Sequence, residues 1–196
     1  MSQELLDLLP ARKGHFKFES GHHGDLWLDL DLLFLQPQKN HQFINALADR
    51  LEKYNPTAVC GPLVGGALLA HMIATRLDIE FYYTEPVKIS QPDTLYSVKY
   101  LLSKNFENRL SGTRVIIVDD VINAGSAVRA TLAELSLHGA RPVAVGCLLL
   151  LGNLAQDFFA EHNMPVESIE AQSNNLWMPN DCPLCNSNIP LDDFSR

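Results

Sequence analysis

Two hydrophobic periodicities alternate along this chain. Phe43, Ile44, Leu47, Ala48 and Leu51 recur at helical spacing with Asp49, Arg50, Glu52 and Lys53 opposite them, which predicts an amphipathic helix over 37–54 that Asn55-Pro56 ends. A short apolar run at 57–60 predicts a buried strand, followed by a glycine-containing loop and a helix over 67–77 carrying Leu68, Leu69, Met72, Ile73 and Leu77. Residues 79–83 read as the next core strand and 95–102 as a strand returning from a polar loop at 87–94. Val115, Ile116, Ile117 and Val118 form an unbroken apolar run, as expected of a strand covered on both faces. A helix to residue 137 follows, closed by His138-Gly139, then another continuous apolar strand at 142–151, a helix over 153–162 and a late strand at 166–171.

Alternation of strand and helix with fully apolar strands predicts an α/β fold, a central parallel sheet flanked by helices. The first 36 residues read differently. A short helix over 3–9 precedes two half-buried strands, in which Phe16 and Phe18, and later Leu26, Leu28, Leu30 and Leu32, alternate with other residues. We therefore expect one domain over 1–172, with a small N-terminal portion at 1–36 and a core at 37–155, and a turn-rich tail at 173–196. Trp177 and Pro179 suggest that the tail docks on the domain.

The formal charge of −8 over 196 residues leaves no broad basic face for nucleic acid or anionic membrane, so neither is expected as a partner. No apolar run approaches the length of a membrane span and the N-terminus lacks a signal-peptide layout, which together predict a cytoplasmic protein. An acidic chain that binds an anion must do so locally, with backbone amides and a helix start.

Such a place follows the strand at 115–118. Asp119 and Asp120 stand at its carboxyl end, and the turn Asn123-Ala124-Gly125-Ser126 leads into the helix. In open α/β sheets ligands bind at the carboxyl ends of strands, and amides of Ala124, Gly125, Ser126 and Ala127 would suit a phosphate. The two carboxylates only accept hydrogen bonds or ligate hard cations, so they suit sugar hydroxyls or a divalent ion. A phosphorylated sugar satisfies both halves. The plain alternative is a buried strand whose terminal Asp caps a helix. An earlier loop, Gly61-Pro62-Leu63-Val64-Gly65-Gly66, repeats the strand–glycine-loop–helix arrangement and can cradle a second anion.

The run Val115 to Ser126, an apolar strand, two acidic residues and Val-Ile-x-Ala-Gly-Ser, resembles the phosphoribosyl-diphosphate (PRPP) motif of type I phosphoribosyltransferases, most like the orotate enzymes. Phe16, Ser20 and Gly21 resemble the hood that covers the base there, and Gly61-Pro62 with Gly65 and Gly66 resemble the diphosphate loop. The resemblance implies a type I phosphoribosyltransferase-like fold with an N-terminal hood, and transfer of the phosphoribosyl group of PRPP to orotate or a related base, releasing diphosphate. It implies 5′-phosphate binding at Ala124, Gly125, Ser126 and Ala127 and ribose binding at Asp119 and Asp120. It further implies Mg²⁺ held indirectly by the same two residues, Lys88 on the mobile loop over diphosphate, and a homodimer. Three positions depart from the orotate pattern: Gly65 stands where Lys is common, Lys88 is the one cation at 84–94, and Leu149-Leu150-Leu151-Gly152 ends its strand without an Arg. A noncatalytic module that binds PRPP or a nucleotide is therefore the competing reading. His22 and His23 would contact a base or phosphate, or simply be solvated.

Cys60 and Cys147 lie in apolar runs and should be inert. Cys182-Pro183-Leu184-Cys185 has the spacing of a half zinc site, completed by His138, His162, another His or a second subunit; the alternative is a pair of free thiols.

Overall fold

A computed structural model describes residues 3–87 and 94–193. After a single helical turn, α1 (Gln3–Leu6), the chain forms a hairpin of β1 (Ala11–Lys17) and β2 (His23–Leu28). The expected second strand is shorter than the alternation suggested, because Leu30–Leu32 turn into a 3-10 helix. Then follow α2 (Pro37–Glu52), β3 (Ala58–Pro62), α3 (Gly65–Leu77), β4 (Glu80–Val87) and β5 (Lys99–Leu102). The chain continues through β6 (Arg114–Ile122), α4 (Ser126–Leu137), β7 (Arg141–Leu151), α5 (Leu154–Glu161) and β8 (Val166–Gln172).

The central sheet has six strands in the order β5-β4-β3-β6-β7-β8, all parallel except the antiparallel edge strand β5. Val115, Ile116, Ile117 and Val118 are wholly buried. Ile116 and Val118 pack with Phe43, Ile44, Leu47 and Leu51 of α2 and Leu69 and Ile73 of α3. Val115 and Ile117 pack on the other face with Val128 and Leu135 of α4 and Phe159 of α5. Because alternate side chains of one strand face two helix layers, the strand must be apolar at every position. Each fully buried large apolar side chain contributes about 1.5–3 kcal/mol.

The region expected as a separate tail supplies two strands to the hood. β9 (Leu176–Trp177) pairs with β2 and β10 (Asp192–Asp193) pairs with β1, giving a second sheet ordered β10-β1-β2-β9. Between them lie a 3-10 turn and the one-turn helix α6 (Pro183–Asn186). Residues 173–193 are thus part of the hood. No helix among the described residues is long and apolar enough to cross a membrane.

Candidate active site

The connection leaving β3 runs through α3 to β4 on one side, and that leaving β6 runs through α4 to β7 on the other. β3 and β6 are neighbours, in the register Ala58↔Val115, Val59↔Ile116 and Cys60↔Ile117. Chain connections therefore diverge between them, and because ligands of open α/β sheets bind at the carboxyl ends of strands at such a divergence, this is the candidate crevice. Both glycine loops and the acidic pair stand at this crevice.

The contact between them is intimate. A Cβ on Gly65 would lie 2.0 Å from Oδ2 of Asp120, and one on Gly66 would lie 2.7 Å from Oδ1 of Asp119. A Cβ on Gly61 would meet the carbonyl oxygen of Gly66 at 2.0 Å. No larger residue fits at 61, 65 or 66 without moving the carboxylates or the loop. The Lys that the orotate pattern places at 65 would have to displace the Asp120 carboxylate.

Asp120 is buried and Asp119 half-buried. Asp119 Oδ1 accepts the Asp120 N–H at 3.1 Å, and Asp120 Oδ1 accepts the Val121 N–H at 2.8 Å. Burial, followed by the neighbouring Asp120 charge, raises the Asp119 pKa well above the usual carboxylate range; burial also raises that of Asp120. Two desolvated carboxylates side by side are stabilised by hydroxyl donors, a metal ion or a positively charged reaction centre.

The turn after β6 enters α4 through Gly125, whose φ of +80° is left-handed and favours glycine. Glu19 of the hood reaches this turn: the Ser126 hydroxyl donates to it at 2.8 Å and the Tyr100 hydroxyl at 2.9 Å. The hood thereby places an anion against the turn at 123–126, and Glu19 was not singled out from the sequence because a lone Glu in a polar turn carries no pattern. Ala124 and Gly125 are buried, and Ser126 and Ala127 half-buried, at this same turn. From the other end of the chain, the Asn174 amide donates to the Asn123 side chain at 2.8 Å.

Arg129, one turn into α4, was also missed. Its guanidinium packs against the rings of Tyr96 and Phe158, 4.2 and 4.1 Å from their centroids, and Nη2 donates to the Leu154 carbonyl at 2.8 Å. Leu154 begins α5 just beyond β7, so a guanidinium from a neighbouring helix stands where the strand sequence Leu149 to Gly152 offers none. Tyr96 is tied to the hood through its N–H on the Ser20 carbonyl at 3.0 Å, and its ring meets His22 edge-on at 5.4 Å.

The two adjacent histidines, expected either to contact a base or phosphate or to be solvated, are separated. His22 lies 3.1 Å from the Ser20 hydroxyl, and burial, then the charge of Arg129, lowers its pKa. His23 turns to the opposite side, toward Cys185 and His15. Neither is solvated; both are buried. Cys182 and Cys185 are likewise part of the hood rather than of the crevice. His138 pairs with Glu134 at 3.2 Å and His162 donates to the Phe158 carbonyl at 2.7 Å, so neither of those two joins the cysteines. Cys60 and Cys147 are wholly buried, and burial pushes both thiols far up, as befits core residues. Lys88 and the loop expected at 87–94 fall largely outside the described residues, and Pro62 is buried at the end of β3.

Residues 36–180 match the family model described as the phosphoribosyl transferase domain. The orotate phosphoribosyltransferase of Caldanaerobacter subterraneus is 28% identical over 179 residues, covering 91% of this chain and 87% of the relative. Among solved structures, the adenine phosphoribosyltransferase of Thermoanaerobacter pseudethanolicus superimposes with a TM-score of 0.68 at 21% identity, covering 87% of this chain and 99% of that one. The orotate phosphoribosyltransferase of Aeropyrum pernix gives a TM-score of 0.65 at 22% identity, covering 84% and 88%. These two structural likenesses concern the fold.

Proposed function

The chain belongs to the phosphoribosyl transferase family, an enzyme family that transfers the phosphoribosyl group of PRPP to a nitrogenous base, and from that premise we propose that its base is orotate and that its crevice works as follows. The observation that carries the proposal is the packing of Gly65 and Gly66 directly on the carboxylates of Asp120 and Asp119. One loop exposes backbone amides for a diphosphate, the other offers a helix start for a 5′-phosphate, and the acidic pair between them suits the ribose hydroxyls.

In the reaction a ring nitrogen of the base bonds to the anomeric carbon as the bond from that carbon to the diphosphate oxygen breaks. Positive charge develops on the sugar. Asp119 and Asp120, desolvated and fixed by the Asp120 and Val121 amides, face that charge without needing to reorganise, which is electrostatic preorganisation. Amides of the turn at 124–127 hold the 5′-phosphate and those of Gly61, Gly65 and Gly66 hold the diphosphate, fixing the anomeric carbon against the incoming nitrogen. The donor set also fits Mg²⁺: the hard carboxylate oxygens of Asp119 and Asp120 would hold the ion indirectly. Such an ion would supply positive charge beside the diphosphate. Lys88, which follows β4 in the sequence, is the cation assigned to the diphosphate in this reading.

Arg129 supports an anionic base. Its guanidinium stands beside Tyr96 and His22 under the hood, and it supplies a positive partner for a carboxylate in a site otherwise dominated by Glu19, Asp119 and Asp120. A homodimer belongs to the same reading, with a solution mass of twice the 21.8 kDa chain.

The test is diphosphate release from PRPP and Mg²⁺ with orotate or adenine as acceptor, in the native chain and in Arg129→Gln. Orotate should be the productive base. Arg129→Gln should raise the KM for orotate about 10²-fold, as loss of a charged hydrogen-bond partner does, with little change in the KM for PRPP. Equal turnover of adenine and orotate, or an Arg129→Gln variant with native KM for orotate, refutes the assignment of the base.

A further inference from the structure

The geometry points to a zinc site of two cysteines and two histidines that locks the C-terminal segment onto the hood. Its ligands are His15 of β1, His23 of β2, Cys182 immediately before α6 and Cys185 within it. The four ligand atoms, His15 Nε2, His23 Nδ1 and the two Sγ atoms, all lie within 4.8 Å of one another.

The individual distances are those of a tetrahedron around a metal. With bonds of about 2.3 Å to sulfur and about 2.0–2.1 Å to nitrogen, tetrahedral zinc sets its ligands about 3.3 Å apart for N···N and about 3.6 Å for S···N. His15 Nε2 and His23 Nδ1 are 3.3 Å apart. The sulfur–nitrogen separations are 3.4 Å (Cys182 to His15), 3.6 Å (Cys185 to His15) and 3.2 Å (Cys185 to His23).

A second observation fixes the chemistry of one ligand. His15 Nδ1 lies 2.8 Å from the Ile189 carbonyl, which can only accept, so Nδ1 carries the proton and the lone pair of Nε2 points into the cluster. That arrangement, a ligating imidazole donating its other N–H to a backbone carbonyl, orients histidines in metal centres. Without a cation, Nε2 would be a buried acceptor surrounded by another imidazole nitrogen and two thiols. His15, His23 and Cys182 are buried, which limits any compensation by water.

The fold needs such a fastening. The hood is a hairpin whose outer strands, β9 and β10, contribute two residues each, and short strands on a lone hairpin are marginal in water. The proposed zinc joins both strands of the hairpin to the turn that lies between β9 and β10 in the chain. It would thereby position the hood turn, from which Glu19 reaches Ser126, and the C-terminal segment, from which Asn174 reaches Asn123. The role is structural: no step of the transfer passes through this centre. The inference rests on side-chain geometry alone and stands whichever base the crevice accepts.

The test is elemental analysis and X-ray absorption on the full chain purified under reducing conditions without added chelator. One zinc per chain is expected, with a shell of two sulfurs at about 2.3 Å and two nitrogens at about 2.0 Å. Replacement by Co²⁺ should give the intense visible absorption of a tetrahedral thiolate site. Cys185→Ser and His23→Asn should each lose the metal or change that spectrum, and chelation should lower the melting temperature until one equivalent of zinc restores it. A chain that stays metal-free after incubation with one equivalent of Zn²⁺ overturns the proposal, as does a metal shell without two sulfurs and two nitrogens. The absorption measurement on the unaltered chain decides the question even where a variant fails to fold.

Discussion

Replacing Gly65 by Ala should damage catalysis far more than stability. Ala in the first turn of α3 would ordinarily be favourable by about 0.5–1 kcal/mol, and Gly65 has no left-handed backbone requirement. The added Cβ, however, would lie 2.0 Å from Oδ2 and 2.6 Å from Cγ of Asp120, where side-chain contacts closer than 3.0 Å essentially do not occur. Loop and carboxylate must therefore separate by about 1 Å, a shift of the size that can cost about 10²-fold in rate. Asp120 cannot yield freely, since it is buried and accepts the Val121 N–H. Overpacking of this kind costs about 1–3 kcal/mol, so after the helix gain the net loss of stability should stay below about 2.5 kcal/mol. Initial rates of diphosphate release give kcat/KM for PRPP, and urea unfolding gives the stability. Gly112→Ala is the control: its φ of +76° makes it strained, yet no atom stands within 4 Å of the new Cβ. It should lose about 1–2 kcal/mol of stability and retain its rate. A Gly65→Ala enzyme within threefold of the native kcat/KM, or a Gly112→Ala enzyme impaired equally, refutes the reasoning.

The Asp119→Asn, Asp120→Asn double variant should lose PRPP binding by calorimetry and yet melt at a higher temperature. Folded-state pKa values raised above the unfolded ones mean that the ionised pair opposes folding at neutral pH, and that this penalty disappears as pH falls through the raised values toward about 4. The variant's advantage should shrink over that same interval; a double variant less stable than the native chain at pH 7 contradicts the account. His22 has the opposite consequence for acid stability. Its folded pKa is lowered, so the unfolded chain binds the extra proton first, and stability should fall as pH drops below about 6.5 toward the lowered value. Denaturation of a His22→Gln variant should show a shallower slope there, and an unchanged slope would exonerate His22. Glu19→Gln removes a negative charge from the Ser126 hydroxyl, which a phosphate would have to approach. Relief of about 1 kcal/mol of like-charge repulsion should tighten PRPP binding about fivefold in a titration, whereas weaker binding would assign Glu19 a supporting role.

The strand–turn–helix pattern around Asp119 was legible in the sequence because a strand between two helix layers must be apolar at every position, and the acidic pair breaks that run where the sheet ends. Family likeness, the parallel α/β core and both glycine loops followed from local composition of this kind. What the chain could not disclose was which distant residues meet. That a side chain at 65 would collide with the Asp120 carboxylate is visible only in the folded chain. Arg129 reads as an ordinary exposed position on α4 until Tyr96 and Phe158 close around it and its guanidinium reaches the start of α5. His22 and His23 are neighbours in sequence but point to opposite faces, since successive residues alternate across an extended chain. The two tail cysteines showed half of a metal motif, and His15 and His23, some 160 residues earlier, stand beside them because β9 and β10 bracket the hairpin. Sequence by itself determined the core elements and the chemistry each could offer, because those depend on neighbours along the chain. Tertiary structure decided which of those groups share a site, because side-chain proximity across a sheet is set by strand order and register.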